Sequence, residues 1–125
     1  MSWSKKDTGD RAERNARAWL ERQGLRPVCS NYRCRLGEID LIMEHQETLV
    51  FVEVRWRSRH DYGGAVASVD RRKQRRLTQA ARHYLGRHPQ QANRPCRFDV
   101  LGMEPDHDQE IRYHWIPNAF YASDH

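Results

Sequence analysis

The segment TLVFVEVRW at residues 48–56 constrains this chain more than any other. Leu49, Val50, Phe51, Val52 and Val54 form a near-continuous apolar run, the pattern of a strand buried on both faces. Glu53 interrupts it. Burying an unpaired carboxylate costs several kcal/mol or forces it to take up a proton, so Glu53 must meet a cation, a proton or the mouth of a cleft. An ion pair with Arg55 or Arg57, or exposure at the strand end, would satisfy it without any function.

The preceding segment GEIDLIM at 37–43 alternates as a strand does, with Glu38, Asp40 and Ile42 on one face and Ile39, Leu41 and Met43 on the other. The two segments read as a β-hairpin, and a turn near Gln46 and Glu47 places Asp40 about opposite Glu53. Side chains so placed have Cβ atoms roughly 4.5 to 5.5 Å apart, where like charges repel unless something cationic lies between them. Mg²⁺ is commonly held by one or two carboxylates together with phosphate oxygens and waters, so this pair suffices as the core of a phosphodiesterase site. Glu38, directly after Gly37, reads as an exposed strand start.

Ahead of the hairpin, Thr8 to Gln23 reads as an amphipathic helix with Ala12, Ala16, Trp19 and Leu20 on one stripe and Gly24 as its stop. Glu13 flanks that stripe and could lean over the sheet toward Asp40, but Asp10-x-x-Glu13 also has the spacing of a capping box. Val28 to Arg35 reads as an irregular strand, Ser58 to Ser68 as a loop containing Gly63 and Gly64, and Asp70 to Gly86 as a second helix. Strands are predicted over 97–103 and 111–117, with a short helix from Asn118 to Ala122. Without repeats or linkers, residues 1–125 form one α/β domain.

The second helix carries Leu77, Ala80, Ala81, Tyr84 and Leu85 on one stripe and Arg71, Arg72, Arg75, Arg76 and Arg82 opposite. Five arginines on one face suit a phosphate backbone, yet a solvated face is also natural in a chain with 19 Arg and three Lys. Lys73 falls toward the apolar side, where it either snorkels or reaches the same cleft as Glu53. Arg55 lies two residues after Glu53 on the same strand face; it can stabilise a pentavalent phosphate or neutralise carboxylates, but it cannot act as a base. Beyond it, Trp56, Arg57, Arg59, His60 and Tyr62 form a mixture that can grip a backbone and stack on a base, although Trp56 equally suits a core.

The formal charge of +5 and pI near 9.4 favour polyanionic partners. Three cysteines without a C-x-x-C pair, and seven histidines never at ligand spacing, indicate neither a disulfide framework nor a zinc ribbon, and a reducing cytoplasm is expected. No run approaches the roughly 20 apolar residues of a membrane span, and the N-terminus lacks the apolar run of a signal peptide.

Read in order, GDRAE at 9–13, NYRCRLGEIDLI at 31–42, VFVEVR at 50–55, Lys73-Gln74 and CRFDV at 96–100 resemble the YraN family of bacterial proteins over nearly the whole chain. That family is similar to the PD-(D/E)XK, or restriction-endonuclease-like, superfamily, and in layout to archaeal Holliday-junction resolvases. The resemblance implies a three-layer α/β/α fold with a central mixed sheet. It also implies a helix-one Glu, a hairpin Asp and an E-x-K motif around one Mg²⁺ ion, with Mn²⁺ as an alternative. Those positions fall on Glu13, Asp40, and Glu53 with Arg55, where Glu13, Asp40 and Glu53 would be the metal ligands. Lys73 and Gln74 would support the site, and with Arg57, Arg59, Arg72, Arg75 and Arg76 would meet nucleic acid. DNA as substrate, branched intermediates among its forms, and a homodimer follow as expectations, with DNA binding without cleavage as the alternative. The superfamily lysine is Arg55 here, which keeps the charge but changes its proton chemistry and reach.

Overall fold

Strand β2 (Gly37–His45) and strand β3 (Thr48–Trp56) form the hairpin that the alternating pattern predicts, turning over Gln46 and Glu47. β1 (Arg26–Cys34) lies antiparallel on the outer edge of β2, where the missing N–H of Pro27 costs little. β3 pairs in parallel with β4 (Cys96–Pro105), and β4 in turn pairs antiparallel with β5 (Ile111–Phe120). The mixed sheet therefore runs in the order β1-β2-β3-β4-β5. Its one parallel pair needs a crossover, and the connection carries helix α2 (Arg71–Arg87). The computed structural model describes residues 5–56, 67–105, 108 and 110–122, with side chains of the first helix from Gly9 onward.

Helix α1 (Lys5–Arg22) covers one face, where Ala16 and Leu20 pack with Leu41, Met43, Val50, Val52, Leu101 and Met103. Helix α2 covers the other, where Leu77, Ala80, Ala81 and Tyr84 pack with Ile39, Ile42, Leu49, Phe51, Phe98 and Val100. The result is the three-layer α/β/α arrangement expected, and coverage from both sides is why β3 is apolar along most of its length. Asp70 caps α2 by accepting the Lys73 N–H at 2.8 Å, and Arg71, Arg72, Arg75, Arg76 and Arg82 all stand on its exposed side. Gly37 lets this helix approach β2: a Cβ there would lie 2.5 Å from the Arg76 carbonyl oxygen.

Two expectations change. α1 starts at Lys5, so Asp10 lies more than a turn inside it and the capping-box reading of Asp10 and Glu13 falls. The stretch from Asn118 onward is not helical: β5 continues to Phe120, whose ring stacks on Phe98 at 4.9 Å. Burial of that ring outweighs local propensity, and the chain accommodates it with a left-handed residue at Asn118, φ 52°.

Candidate active site

The hydrogen-bonded register between β2 and β3 runs from His45 and Thr48 to Leu41 and Val52, then stops one step short of Asp40 and Glu53. The β1–β2 ladder is interrupted at the same level. Ser30 pairs with Leu41 and Tyr32 with Ile39, leaving Asn31 and Asp40 between them, and Asn31 has φ 55°, in the left-handed region that Asn tolerates. The faces switch across this break. Ser30 accepts from Arg17 of α1 at 3.3 Å and Leu41 packs with α1, whereas Tyr32 and Ile39 pack with the α2 cluster. Ile39 thus joins Ile42 instead of Leu41 and Met43, and the strict alternation predicted for this strand is broken at Asp40. Outside the regular ladder, the Asp40 carboxylate turns to β3 and accepts the Val54 N–H at 2.8 Å, standing in for a strand carbonyl.

Glu53 lies beside it, 5% exposed, with Oε1 at 3.6 Å from both Arg55 Nε and Lys73 Nζ. Burial, and after it the charge of Asp40, push the Glu53 carboxyl up to about 7 despite the opposing pull of Lys73 and Arg55. Burial also raises Asp40, only partly offset by the Val54 N–H and by Lys73. Two neighbouring cations therefore leave the acidic pair short of positive charge. A carboxyl that holds a proton near neutrality in this setting is one that a divalent ion would discharge.

Arg55 donates from Nη2 to the Ser68 carbonyl at 3.2 Å, while its Nε is buried without a hydrogen-bond partner among the described residues. Lys73 reaches Glu53 from the first turn of α2, as one of the two readings of its position predicted. Gln74 does not face the site: its side chain donates to the Val69 carbonyl at 3.0 Å and fastens the turn before α2. Arg55, Ser68, Asp70, Arg72, Lys73 and Arg76 line an open cleft of about 340 Å³, whereas Arg75 is exposed on the helix outside that lining. Arg57 and Arg59, with His60, Tyr62, Gly63 and Gly64, lie outside the described residues. Trp56, 47% exposed, ends β3. Glu38 is an exposed strand start, ion-paired with Arg33 at 3.4 Å.

Glu13 approaches from the α1 side. Its carboxyl is raised by burial first; a hydrogen bond from Asn31 opposes this, and the charges of Asp40 and Asp10 add to it. It lines a second cleft of about 370 Å³ with Asp10, Arg14, Arg17, Ser30 and Asn31. Glu13 thus senses Asp40 across the break in the ladder, yet among the described residues no three His, Cys, Asp or Glu side chains gather closely enough to cage an ion. The donor set centres on two carboxylates, which suits a hard cation that keeps waters and takes phosphate oxygens.

Sequence reasoning missed one participant in the site and one buried structural acid. Asn31 creates the break and hydrogen-bonds Glu13, and its only mark in the sequence is a residue type that tolerates positive φ. Asp99 is fully buried and receives Arg97 Nε (3.0 Å) and Nη2 (3.2 Å), Trp115 Nε1 (2.9 Å) and the Asn118 N–H (2.9 Å). It is the same kind of charged interruption in an apolar strand as Glu53, but Arg97 two residues earlier on the same face marks it as paired. Its donors tie β4 to β5 and account for its burial.

A family model described as "Uncharacterised protein family UPF0102" matches residues 12–103, a span that includes Glu13, Asp40, Glu53, Arg55 and Lys73. A UPF0102 protein of Alcanivorax borkumensis is 63% identical over 119 residues, 95% of each chain. One from Aeromonas hydrophila is 53% identical over 113 residues, 90% of this chain and 83% of the relative. One from Nitrosomonas europaea is 50% identical over 115 residues, 92% of this chain and 94% of the relative. Among the described residues no helix is long and apolar enough to cross a membrane.

Proposed function

The chain belongs to the uncharacterised protein family UPF0102, the YraN family, and for it we propose metal-dependent hydrolysis of DNA phosphodiester bonds. One observation carries the reading: Asp40 and Glu53 converge at a fork between strands, with the Glu53 carboxyl raised to about 7 although Arg55 and Lys73 stand beside it. Structural ion pairing alone would leave such a carboxylate charged and undemanding.

Asp40 and Glu53 would hold Mg²⁺, or Mn²⁺ in its place, with Glu13 completing or orienting the site from α1. Bound there, the ion supplies Lewis-acid polarisation of the phosphate and a water that is nucleophilic at neutral pH. Asp40 is held in place by the Val54 N–H, and Glu53 would give up its proton on ligation. Arg55 keeps a permanent charge beside Glu53 and takes no part in proton transfer. Arg72, Lys73 and Arg76 in the neighbouring cleft, with exposed Arg75 and with Arg57 and Arg59, which follow β3 in sequence, would bind nucleic-acid phosphates; Gln74 fastens the turn before α2. A homodimer would match branched DNA of two-fold symmetry.

A second reading keeps DNA binding and drops cleavage. It is favoured by Arg55 in the lysine position and by the sharing of Glu53 between two cations. Both are tested by incubating the protein with linear, flapped and four-way DNA in Mg²⁺, Mn²⁺ or EDTA, beside Glu53→Ala. Cutting that needs metal and disappears in the variant is expected. Binding without cutting in either metal supports the second reading, and absence of DNA binding sinks both.

A further inference from the structure

We propose that Lys73 is the cation that touches the reacting phosphate, and that Arg55 is a positioning residue holding Glu53 and the turn before α2. The inference rests on the nuclease reading and deepens it. Both cations approach the same oxygen, Glu53 Oε1, at the same 3.6 Å, so proximity to the carboxylate does not tell them apart. Their other commitments do.

Arg55 is held by one hydrogen bond and one ion contact. Its Nη2 donates to the Ser68 carbonyl, and its buried Nε lies 3.6 Å from Glu53 Oε1. Arg55 also lines the cleft, but to turn its full fork toward a phosphate it must give up the Ser68 contact. Lys73 is built the other way. Its backbone is fixed, because the Asp70 carboxylate takes its N–H at 2.8 Å, while its ammonium ends a flexible stem that pairs with Glu53 among the described residues. It lines the cleft with Arg72 and Arg76, so a phosphate seated on those arginines lies near the sweep of its three donors. Lys73 also competes with any divalent cation for the Glu53 oxygen, and release from that oxygen turns the ammonium toward the cleft. One carboxylate, two cations, and a further hydrogen bond that engages only Arg55 among the described residues assign the substrate contact to Lys73.

The experiment compares Lys73→Met, Lys73→Arg, Arg55→Met and Arg55→Lys. It measures single-turnover cutting in Mg²⁺, the Mg²⁺ dissociation constant by calorimetry, the melting temperature, and oligonucleotide affinity in EDTA. Lys73→Met should cut about 100-fold more slowly or worse, with melting unchanged and Mg²⁺ bound as tightly as before or more so. Lys73→Arg should recover part of the rate. Arg55→Met should lose melting temperature and rate together, and Arg55→Lys should restore most of both. The proposal is overturned if Lys73→Met cuts within about threefold of wild type, if it loses Mg²⁺ affinity along with rate, or if Arg55→Met abolishes cutting with melting intact. Should the wild type itself not cut, the nuclease reading fails, and affinity in EDTA decides for Lys73. A larger loss in Lys73→Met than in Arg55→Met retains it as the phosphate contact, and an equal or smaller one removes it.

Discussion

The charge of Asp40 falls on Glu53 at the first step beyond the hydrogen-bonded register of β2 and β3, where its carboxylate has turned to take the Val54 N–H. The same side chain thus does two things, one structural and one electrostatic, and substitutions can separate them.

Stability should depend on pH through Glu53. Its carboxyl is raised from the ordinary 4.5 to about 7, so the folded chain binds that proton more tightly than the unfolded one. The resulting stabilisation is complete below about 4.5 and disappears as pH rises through about 7. Glu13 and Asp40, both raised, act with the same sign. Without divalent ions the melting temperature should be lower at pH 8 than at pH 5.5, and Glu53→Gln should flatten the difference and gain on the order of 1–3 kcal/mol at pH 8. Thermal melts at the two pH values check this, and a wild-type curve flat with pH would remove the claim.

Asp40→Asn and Asp40→Ala should behave differently. Asn keeps an oxygen for the Val54 N–H and loses only the charge; Ala leaves that donor unmatched, at a cost of about 1–3 kcal/mol. The Asn variant should therefore stay closer to wild type in urea unfolding, while both lose divalent-ion binding by calorimetry. Equal stability of the two would mean that the 2.8 Å contact contributes nothing.

Gly37→Ala tests how closely α2 must lie on β2. The added methyl meets backbone, the Arg76 carbonyl at 2.5 Å, and not a flexible side-chain tip. Overpacking of this kind costs about 1–3 kcal/mol. It should also shift Arg72, Lys73 and Arg76 together, weakening DNA affinity in proportion, as titrations on the folded variant would measure.

Arg72 and Arg76 share a cleft with Lys73, and Arg75 does not. If each of the two meets one phosphate, Arg72→Ala with Arg76→Ala should lower the slope of log affinity against log salt by nearly 2 on duplex DNA, about 0.9 per phosphate released. Anisotropy across a salt series reads that slope directly. An unchanged slope would place the nucleic acid elsewhere.

The acidic pair was legible because it broke a rule: Glu53 is a charge in a strand otherwise apolar enough to be covered on both faces, and a two-residue turn fixes what stands opposite it. The helix stripes were legible for the same reason of period, and Leu77, Ala80, Ala81 and Tyr84 are buried while the arginines are not. The break at Asn31 was not legible, since one left-handed residue reverses the faces of two strands without disturbing their apolar composition. The start of α1 was hidden because Lys5, Lys6 and Asp7 carry no apolar periodicity. β5 outran its expected end because Phe120 is held by a distant partner, Phe98.

The single parallel pairing of the sheet has a consequence in time. β1, β2 and β3 are joined by tight turns and can zip up early, whereas β4 must wait for 39 intervening residues to be spanned before it can dock on β3. Asp40 and Glu53 belong to the early part, and Lys73 to the late connection. A nascent chain therefore assembles its mutual repulsion before the counter-charge from α2 arrives. Refolding should quicken when acid or a divalent ion quiets that repulsion in advance.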